Sequence, residues 1–553
     1  MKRNKRIIGL GLLLVFTTAF VAFRSSDRYF EIARNLEIFA AVYKEINNYY
    51  VDEVNPNTLM RTGIDAMLQS LDPYTNYIPE DDIEDFRYET TGQYGGTGIQ
   101  ITKMNGKTMI TKVFEGYSAF RAGIIVSDEI TKVNGVEISA LNLDETGKLM
   151  RGQLGNHITL SVLKYGESQA RDFSLKIEKI TDPNVPYYTM LTDDIGYFLL
   201  VGFTFGAGDE AQQAVRNLIN KGAKKIILDL RENPGGIVDE AVAITNIFIS
   251  KGIEVVYTRG KVKDASVNRS FQTRSEPVNL SIPLVILINS GSASASEIVA
   301  GTIQDLDRGV IIGEKSYGKG LVQQPRSIPY NSQVKITIAK YYIPSGRSIQ
   351  SLDYAHRNPD GSVGTVPDSL KTAFLTKNGR TVYDGGGIDP DVEVHSLELS
   401  SIGQAMDENG YFFEFAARYK SRHSRIEPPR NFRLADAEFE EFVNWVSEKE
   451  YEYTTDLDRE LEDLIQSSKY EKYFLSIENQ LIDLQETIEI NKKSDIHLHK
   501  DELKMLLESY IVSMYYPESG IIEANFKHDE VLGKAIDVLE NSSEYKSLLS
   551  SGK

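Results

Sequence analysis

The chain has 553 residues, no cysteine, a formal net charge of −18 and 41% hydrophobic residues. Acidity argues against nucleic-acid binding, which needs clustered Lys and Arg to neutralise phosphates. The missing cysteines exclude disulfides, thiolate zinc sites, a cysteine nucleophile and a lipidated N-terminal cysteine.

At roughly 100–200 residues per domain, the length predicts about three or four domains. At the N-terminus, Lys2, Arg3, Lys5 and Arg6 precede an apolar run from Ile7 to Phe23, which Arg24 ends. A basic flank before an apolar core is an export signal, and a run of about 17 residues is at the lower limit for spanning a bilayer. Residues 1–28 are therefore expected to be a signal peptide or membrane anchor, with the rest translocated to the periplasm or cell envelope. The end of the run, VAFRSSD, lacks an A-x-A cleavage site and tilts the reading to the anchor.

Residues 29–90 read as a helical lead. Ile32, Leu36, Phe39, Val42, Tyr43 and Ile46 recur at helical spacing, and Leu59, Ile64, Met67, Leu68 and Leu71 continue a second helix that Asp72-Pro73 stops. From 91 to 180 the period changes to that of strands. Gly92, Gly95, Gly96 and Gly98 punctuate a loop before Ile99, short strands follow at 109–113, 130–133, 157–163 and 170–177, and Asn134-Gly135 marks a hairpin turn. Residues 143–150 read as a helix within this β module.

Residues 181–398 alternate strand and helix. Strands are expected at 197–201, 225–230, 284–289, 310–312 and 334–338, and helices at 209–221, 239–250 and 296–305. That alternation predicts a sheet with helices packed on it. Residues 399–553 are polar and helix-patterned, carry the one tryptophan, Trp445, and are most acidic over 436–463, which reads as a solvated helix face. The spacing His497-x-His499 invites a metal reading, but no acidic ligand motif accompanies it, and a solvated surface is expected.

Three glycine-rich loops each follow an expected strand of the α/β region. In Asn289-Ser290-Gly291-Ser292-Ala293-Ser294-Ala295-Ser296-Glu297 a serine meets the unpaired N–H groups of a helix start, which suits an acyl-transfer nucleophile. A capping box is the plain structural alternative, and spacing does not choose among Ser292, Ser294 and Ser296. A base for such a hydroxyl is available in Gly318-Lys319-Gly320, provided the lysine is neutral; burial in apolar surroundings would favour that form. The third loop, Asp229-Leu230-Arg231-Glu232-Asn233-Pro234-Gly235-Gly236, can expose backbone N–H groups as part of an oxyanion hole. Loops after parallel strands of one sheet converge on one edge.

Taken together, these residues resemble the carboxyl-terminal processing peptidases, also called tail-specific proteases, from about Phe30 to Val394. The resemblance rests on Ser70–Pro73, Leu230–Gly236, Ser292–Glu297, Tyr317–Gln323, Tyr341–Arg347 and Gly385–Asp391, and on Ser118–Ile130 as a version of the family's PAxxAGxxxGDxI, with Ser118 for the proline and Ser127 for a glycine. It implies a helical lead, a PDZ β module and a crotonase/ClpP-like α/β protease domain; with the helix-patterned residues 399–553 as an α-helical C-terminal extension of open role, the chain is expected to be multidomain α+β. It implies a serine endopeptidase with Ser294 as nucleophile, Lys319 as base and Gln323 orienting the lysine. Ala295 and either Gly235 or Gly236 would supply oxyanion donors, and Tyr94, Gly95, Gly96, Thr97, Gly98 and Ile99 would form the PDZ loop that holds a substrate's C-terminal carboxylate. No cofactor or metal is implied. Protein substrates with accessible C-terminal tails are the expected partners, and the C-terminal helices are candidates for self-association or for docking an adaptor. The segment 352–383 reads as an insertion. A non-catalytic envelope PDZ adaptor is the main alternative function; a crotonase-type acyl-CoA enzyme is a further one, disfavoured by the export signal.

Overall fold

A strand buried on both faces reads as a continuous apolar run, and all five residues of Leu284–Ile288 are fully buried. In the computed structural model, which describes residues 29–358, 361–449 and 452–550, this strand lies inside a six-stranded sheet. Spatial order follows chain order: β1 (Tyr187–Met190), β2 (Ile195–Leu199), β3 (Lys225–Asp229), β4 (Leu284–Ile288), β5 (Val310–Gly313) and β6 (Val392–Glu393). β1 runs antiparallel to β2, and every later pairing is parallel. Parallel pairing requires crossovers, and these contain α1 (Ala207–Asn220), α2 (Val238–Asn246) and α3 (Ala295–Asp305). The expected segment 1–28 lies outside the described residues, and no described helix is long and apolar enough to cross a membrane.

Period-two alternation gives the sheet two apolar faces. Phe198, Ile226, Leu228, Ile286, Ile288 and Ile311 share one core with α1, α2 and α3. The alternate residues Tyr197, Ile227, Val285, Leu287, Val310 and Ile312 lie against α4 (Glu530–Glu540), through its Val531, Leu532, Ala535, Val538 and Leu539. Tyr545 adds an edge contact, where its hydroxyl accepts the Leu284 N–H at 2.9 Å. A helix of the C-terminal region thus closes the sheet of the α/β region.

The β module follows its expected pattern. Ile99–Met104, Lys107–Val113, Glu129–Val133, His157–Leu163 and Arg171–Lys176 form an antiparallel sheet over Ile110, Ile130, Leu160, Val162 and Leu175. Helix Leu143–Met150 starts with a capping box between Asn142 and Glu145. Ser118 is the first residue of a short helix, a position that tolerates proline, and its hydroxyl donates to the Lys176 carbonyl at 2.7 Å. Ser127 takes φ +81°, the left-handed conformation that a glycine would hold without strain.

Helices Ser401–Glu408, Tyr411–Arg422, Asp436–Val446 and Lys500–Ser513 surround Phe412, Phe415, Phe439, Phe442, Leu507 and Ile511. Met104, Met109 and Val126 of the β module pack against this core. Lys112 pairs with Glu518 at 2.6 Å, and the Asn105 amide donates to the Asn409 carbonyl at 3.0 Å. Asp436 opens the acidic stretch on the outside, between Lys500 and Lys504, while Phe439 and Phe442 point inward. His497 faces Glu440 and His499 faces Glu502. Within 352–383, Leu352–Arg357 pairs with Val363–Thr365 and Ala373–Leu375 with Thr381–Tyr383.

A second body comprises the described residues up to Glu80 together with residues 323–337. It holds a helix over 29–49, helix Pro56–Gln69 capped by the Asn55 side chain, and strand Asn76–Ile78 paired antiparallel with 333–335. Asp72 ends the helical part through a turn in which its carboxylate accepts the N–H groups of Tyr74 and Thr75. Phe30, Leu36, Phe39 and Val42 are exposed, so the apolar periodicity of the first helix is not matched by burial.

Candidate active site

β3, β4 and β5 are adjacent and parallel, with Asp229 opposite Leu287 and Ile288 opposite Gly313. The three glycine-rich loops therefore leave the same edge, as their positions after apolar runs predict.

The hydroxyls of Ser292, Ser294 and Ser296 do different work in the serine loop. Ser292 and Ser296 are fully buried. Ser292 Oγ donates to the Leu230 carbonyl at 2.8 Å and accepts the Asn289 N–H at 3.0 Å. Ser296 Oγ donates to the Asn233 carbonyl at 2.8 Å. Both fasten the serine loop to the neighbouring loop. Ser294 is partly exposed at the N-cap of α3, and its side chain makes no cap hydrogen bond. Its backbone stands at φ 55°, ψ −111°, a region that L-residues avoid at a cost of about 1–3 kcal/mol.

Glu297 organises the site, a role that sequence reading did not assign. It is fully buried in the first turn of α3. Oε2 accepts the N–H of Ser294 at 2.8 Å and of Lys319 at 2.9 Å; Oε1 accepts Ser316 Oγ–H at 2.6 Å and Gly318 N–H at 2.7 Å. One carboxylate oxygen thus holds the backbones of Ser294 and Lys319 two hydrogen bonds apart. Burial pushes the Glu297 carboxyl above the ordinary glutamate range, against four donors that favour the anion. The available signal was the Ser-x-x-Glu spacing at the helix start, which marks a reach back to the N-cap backbone but not one to a second loop.

Lys319 is partly buried between two glycines whose spacing has a packing reason. A Cβ on Gly318 would lie 2.5 Å from Ser351, and one on Gly320 would lie 2.8 Å from the Gln350 nitrogen. The lysine loop is thereby pressed onto residues 350–351.

In the third loop Asn233 is buried and fully engaged. Its Nδ2 donates to the Leu200 carbonyl at 2.7 Å, its Oδ1 accepts Gly235 N–H at 2.9 Å, and its carbonyl accepts Ala293 N–H at 3.0 Å. Gly235 N–H, one of the two glycine donors expected, is therefore already committed to a side chain. Gly235 and Gly236 stand at φ +94° and +149°. A Cβ on Gly235 would lie 2.6 Å from the Ala293 carbonyl oxygen and 2.7 Å from the Ala295 nitrogen. The bare glycine lets the loop rest on the serine turn beside Ala295 N–H.

Gln323 belongs to the second body, where its amide donates to Thr337 Oγ1 at 3.2 Å. In the β module, Tyr94, Gly95 and Gly96 form a strand against 178–180, Thr97 is buried, and Ile99 starts the next strand inside the core. Gly98 turns between them at φ +84°, where a Cβ would lie 2.5 Å from Tyr117.

Three families match in chain order: a PDZ domain over 87–163, peptidase family S41 over 194–369, and "Probable PDZ-protease, C-terminal helical domain" over 402–539. A carboxy-terminal-processing protease of Bartonella bacilliformis is 36% identical over 344 residues, covering 62% of this chain and 77% of its own length. The chain belongs to the carboxyl-terminal processing peptidases. A probable CtpA-like serine protease of Staphylococcus aureus is 33% identical over 69% of this chain and 75% of its own. Among solved structures, the photosystem II D1 C-terminal processing protease matches 65% of this chain and 92% of its own at 24% identity, with a TM-score of 0.35, too low to bear on the fold. Membership makes the chain a serine peptidase carrying a PDZ domain, followed by a C-terminal helical domain.

Proposed function

We propose that this processing peptidase is an exported endopeptidase that cleaves peptide bonds with a Ser294–Lys319 dyad. The observation that carries the reading is the shared Glu297 oxygen, which ties Lys319 to the one of the three candidate serines whose hydroxyl the packing does not use. Neutral Lys319 takes the Ser294 proton as Oγ attacks the scissile carbonyl carbon, and returns it to the leaving amine. Lys319, neutral again, takes a proton from the water that attacks the acyl carbon and passes it to Ser294 Oγ as the ester C–O bond breaks. Ala295 N–H and Gly236 N–H hold the oxyanion; Gly236 is preferred because Asn233 already holds Gly235 N–H. No metal or organic cofactor enters these steps. The 94–99 loop of the PDZ domain captures the free C-terminus of an unfolded substrate tail, which is added as a strand. Residues 1–28 direct the chain to the periplasm or cell envelope, as a cleaved signal or an anchor.

The test is turnover of a fluorogenic peptide ending in a free carboxylate. Ser294→Ala and Lys319→Ala are each expected to lower kcat by about a thousandfold or more with folding intact. Wild-type activity should rise with pH, because only the unprotonated amine accepts the serine proton. Full activity in either variant, or a flat rate between about pH 5 and 9, rejects the dyad. Equal rates on free and C-terminally amidated substrates reject the carboxylate loop.

A further inference from the structure

We propose that Asp529, in the C-terminal helical region, is a positioning residue for the oxyanion loop and acts through Arg231. The inference rests on the oxyanion reading above and gives the helical region a part in the chemistry.

Arg231 lies in the loop that carries Gly235 and Gly236. Its Nε and Nη2 donate to Oδ1 and Oδ2 of Asp229, at the end of β3, at 3.0 and 2.6 Å. Its Nη1 and Nη2 donate to Oδ1 and Oδ2 of Asp529 at 3.0 and 2.6 Å. One planar fork therefore joins two carboxylates, a geometry that a lysine cannot reproduce. The side chains of Arg231, Asp229 and Asp529 are only 18%, 3% and 17% exposed, so this is no screened surface pair. Both carboxylates are themselves fixed. Tyr197 donates its hydroxyl to Asp229 Oδ2 at 2.9 Å. Asp529 Oδ1 also accepts Leu532 N–H at 2.9 Å, which caps α4 on the far face of the sheet.

Glu232 stores strain in the loop, at φ +56° without being glycine. Gly235 and Gly236 have the freest backbone of any residue, so the conformation of this loop depends on the ties at its sides. Its inner side is tied to the serine loop: Glu232 N–H donates to Asn289 Oδ1 at 3.0 Å, and Asn289 Nδ2 donates to Glu232 Oε1 at 2.6 Å. Arg231 holds the outer side. An oxyanion donor acts through its distance to a charge that develops only in the transition state, so a small rotation of this loop lowers kcat while leaving ground-state contacts in place.

Asp529→Asn tests this. Asparagine keeps the cap for Leu532 N–H but turns an amide donor toward the guanidinium. The expected result is a fall in kcat of about ten- to a hundredfold with KM within about twofold. The Ki of a peptide boronic acid, a tetrahedral mimic, should rise in step with the fall in kcat/KM. Leu539→Ala, which loosens α4 at the end remote from Asp529, is the control; an equal loss of kcat there, or an unchanged kcat in Asp529→Asn, overturns the proposal. Should Asp529→Asn melt below the assay temperature, Arg231→Lys carries the same readouts with α4 and its cap untouched. Wild type against Ser294→Ala is measured first. No difference between those two refutes the dyad itself, whereas a difference with Asp529→Asn equal to wild type refutes only the coupling.

Discussion

Ser127 and Gly235 carry opposite forms of one constraint. Ser127 occupies φ +81° with a Cβ, where left-handed backbone costs an L-residue about 1–2 kcal/mol. Glycine relieves that strain and loses part of the gain to the greater freedom of the unfolded chain, so Ser127→Gly should stabilise the chain by about 0.5–1 kcal/mol. Urea unfolding followed by tyrosine and tryptophan fluorescence would read the change, and a lower midpoint at unchanged slope would contradict the strain argument. Gly235 is the reverse case. At φ +94° an added Cβ is strained, and it would lie 2.8 Å from Ser294 Cβ as well as against the Ala293 and Ala295 backbone. Gly235→Ala is therefore expected to remove at least about 99% of kcat/KM, since a displaced oxyanion donor alone costs about a hundredfold. Wild-type turnover in that variant would mean that the loop does not border the reacting carbonyl.

At the scale of elements, α4 shows what a sequence does and does not disclose. Val531, Leu532, Ala535, Val538 and Leu539 fall on one face at helical spacing, so an amphipathic helix is legible there. Its partner is not, because periodicity identifies the apolar face without saying what covers it. The same limit applies to the β3–β5 sheet, where the runs 225–229 and 284–288 announce strands buried on both faces, yet only α1, α2 and α3 lie close in sequence. The three loops at one edge were legible because each follows an apolar strand. Glu297 bridging two of them was not, since a buried carboxylate is defined by donors that the fold brings from Ser316, Gly318 and Lys319. Short edge strands such as β1, all four residues partly buried, leave no period-two signal. The packing of α4 is measurable. Leu532 is 1% exposed, and Leu532→Ala should cost about 2–4 kcal/mol through lost burial and the cavity left behind. Differential scanning calorimetry checks this, and a loss below about 1 kcal/mol would mean that α4 is not firmly seated.

For the larger body as a whole, the C-terminal region is a structural part of the peptidase. Its core receives Met104, Met109 and Val126 from the PDZ module, and its last helices cover the sheet that positions the candidate active site. Removing it uncovers Ile195, Tyr197, Ile227, Val285, Leu287, Val310 and Ile312, each at most 2% exposed in the full chain. A continuous apolar face of that kind drives association in water, and the parallel strands beneath it depend on cover from both sides. It also strips Arg231 of one of its two carboxylates. A chain spanning 29–398 is therefore expected to aggregate or unfold, although it contains the whole PDZ and S41 matches, whereas 29–550 should be soluble and active. Size-exclusion chromatography with light scattering, together with peptide turnover, distinguishes the outcomes. A soluble 29–398 fragment with full activity would show that the sheet stands without α4, and that the helical region is an appendage to the peptidase instead of its second layer.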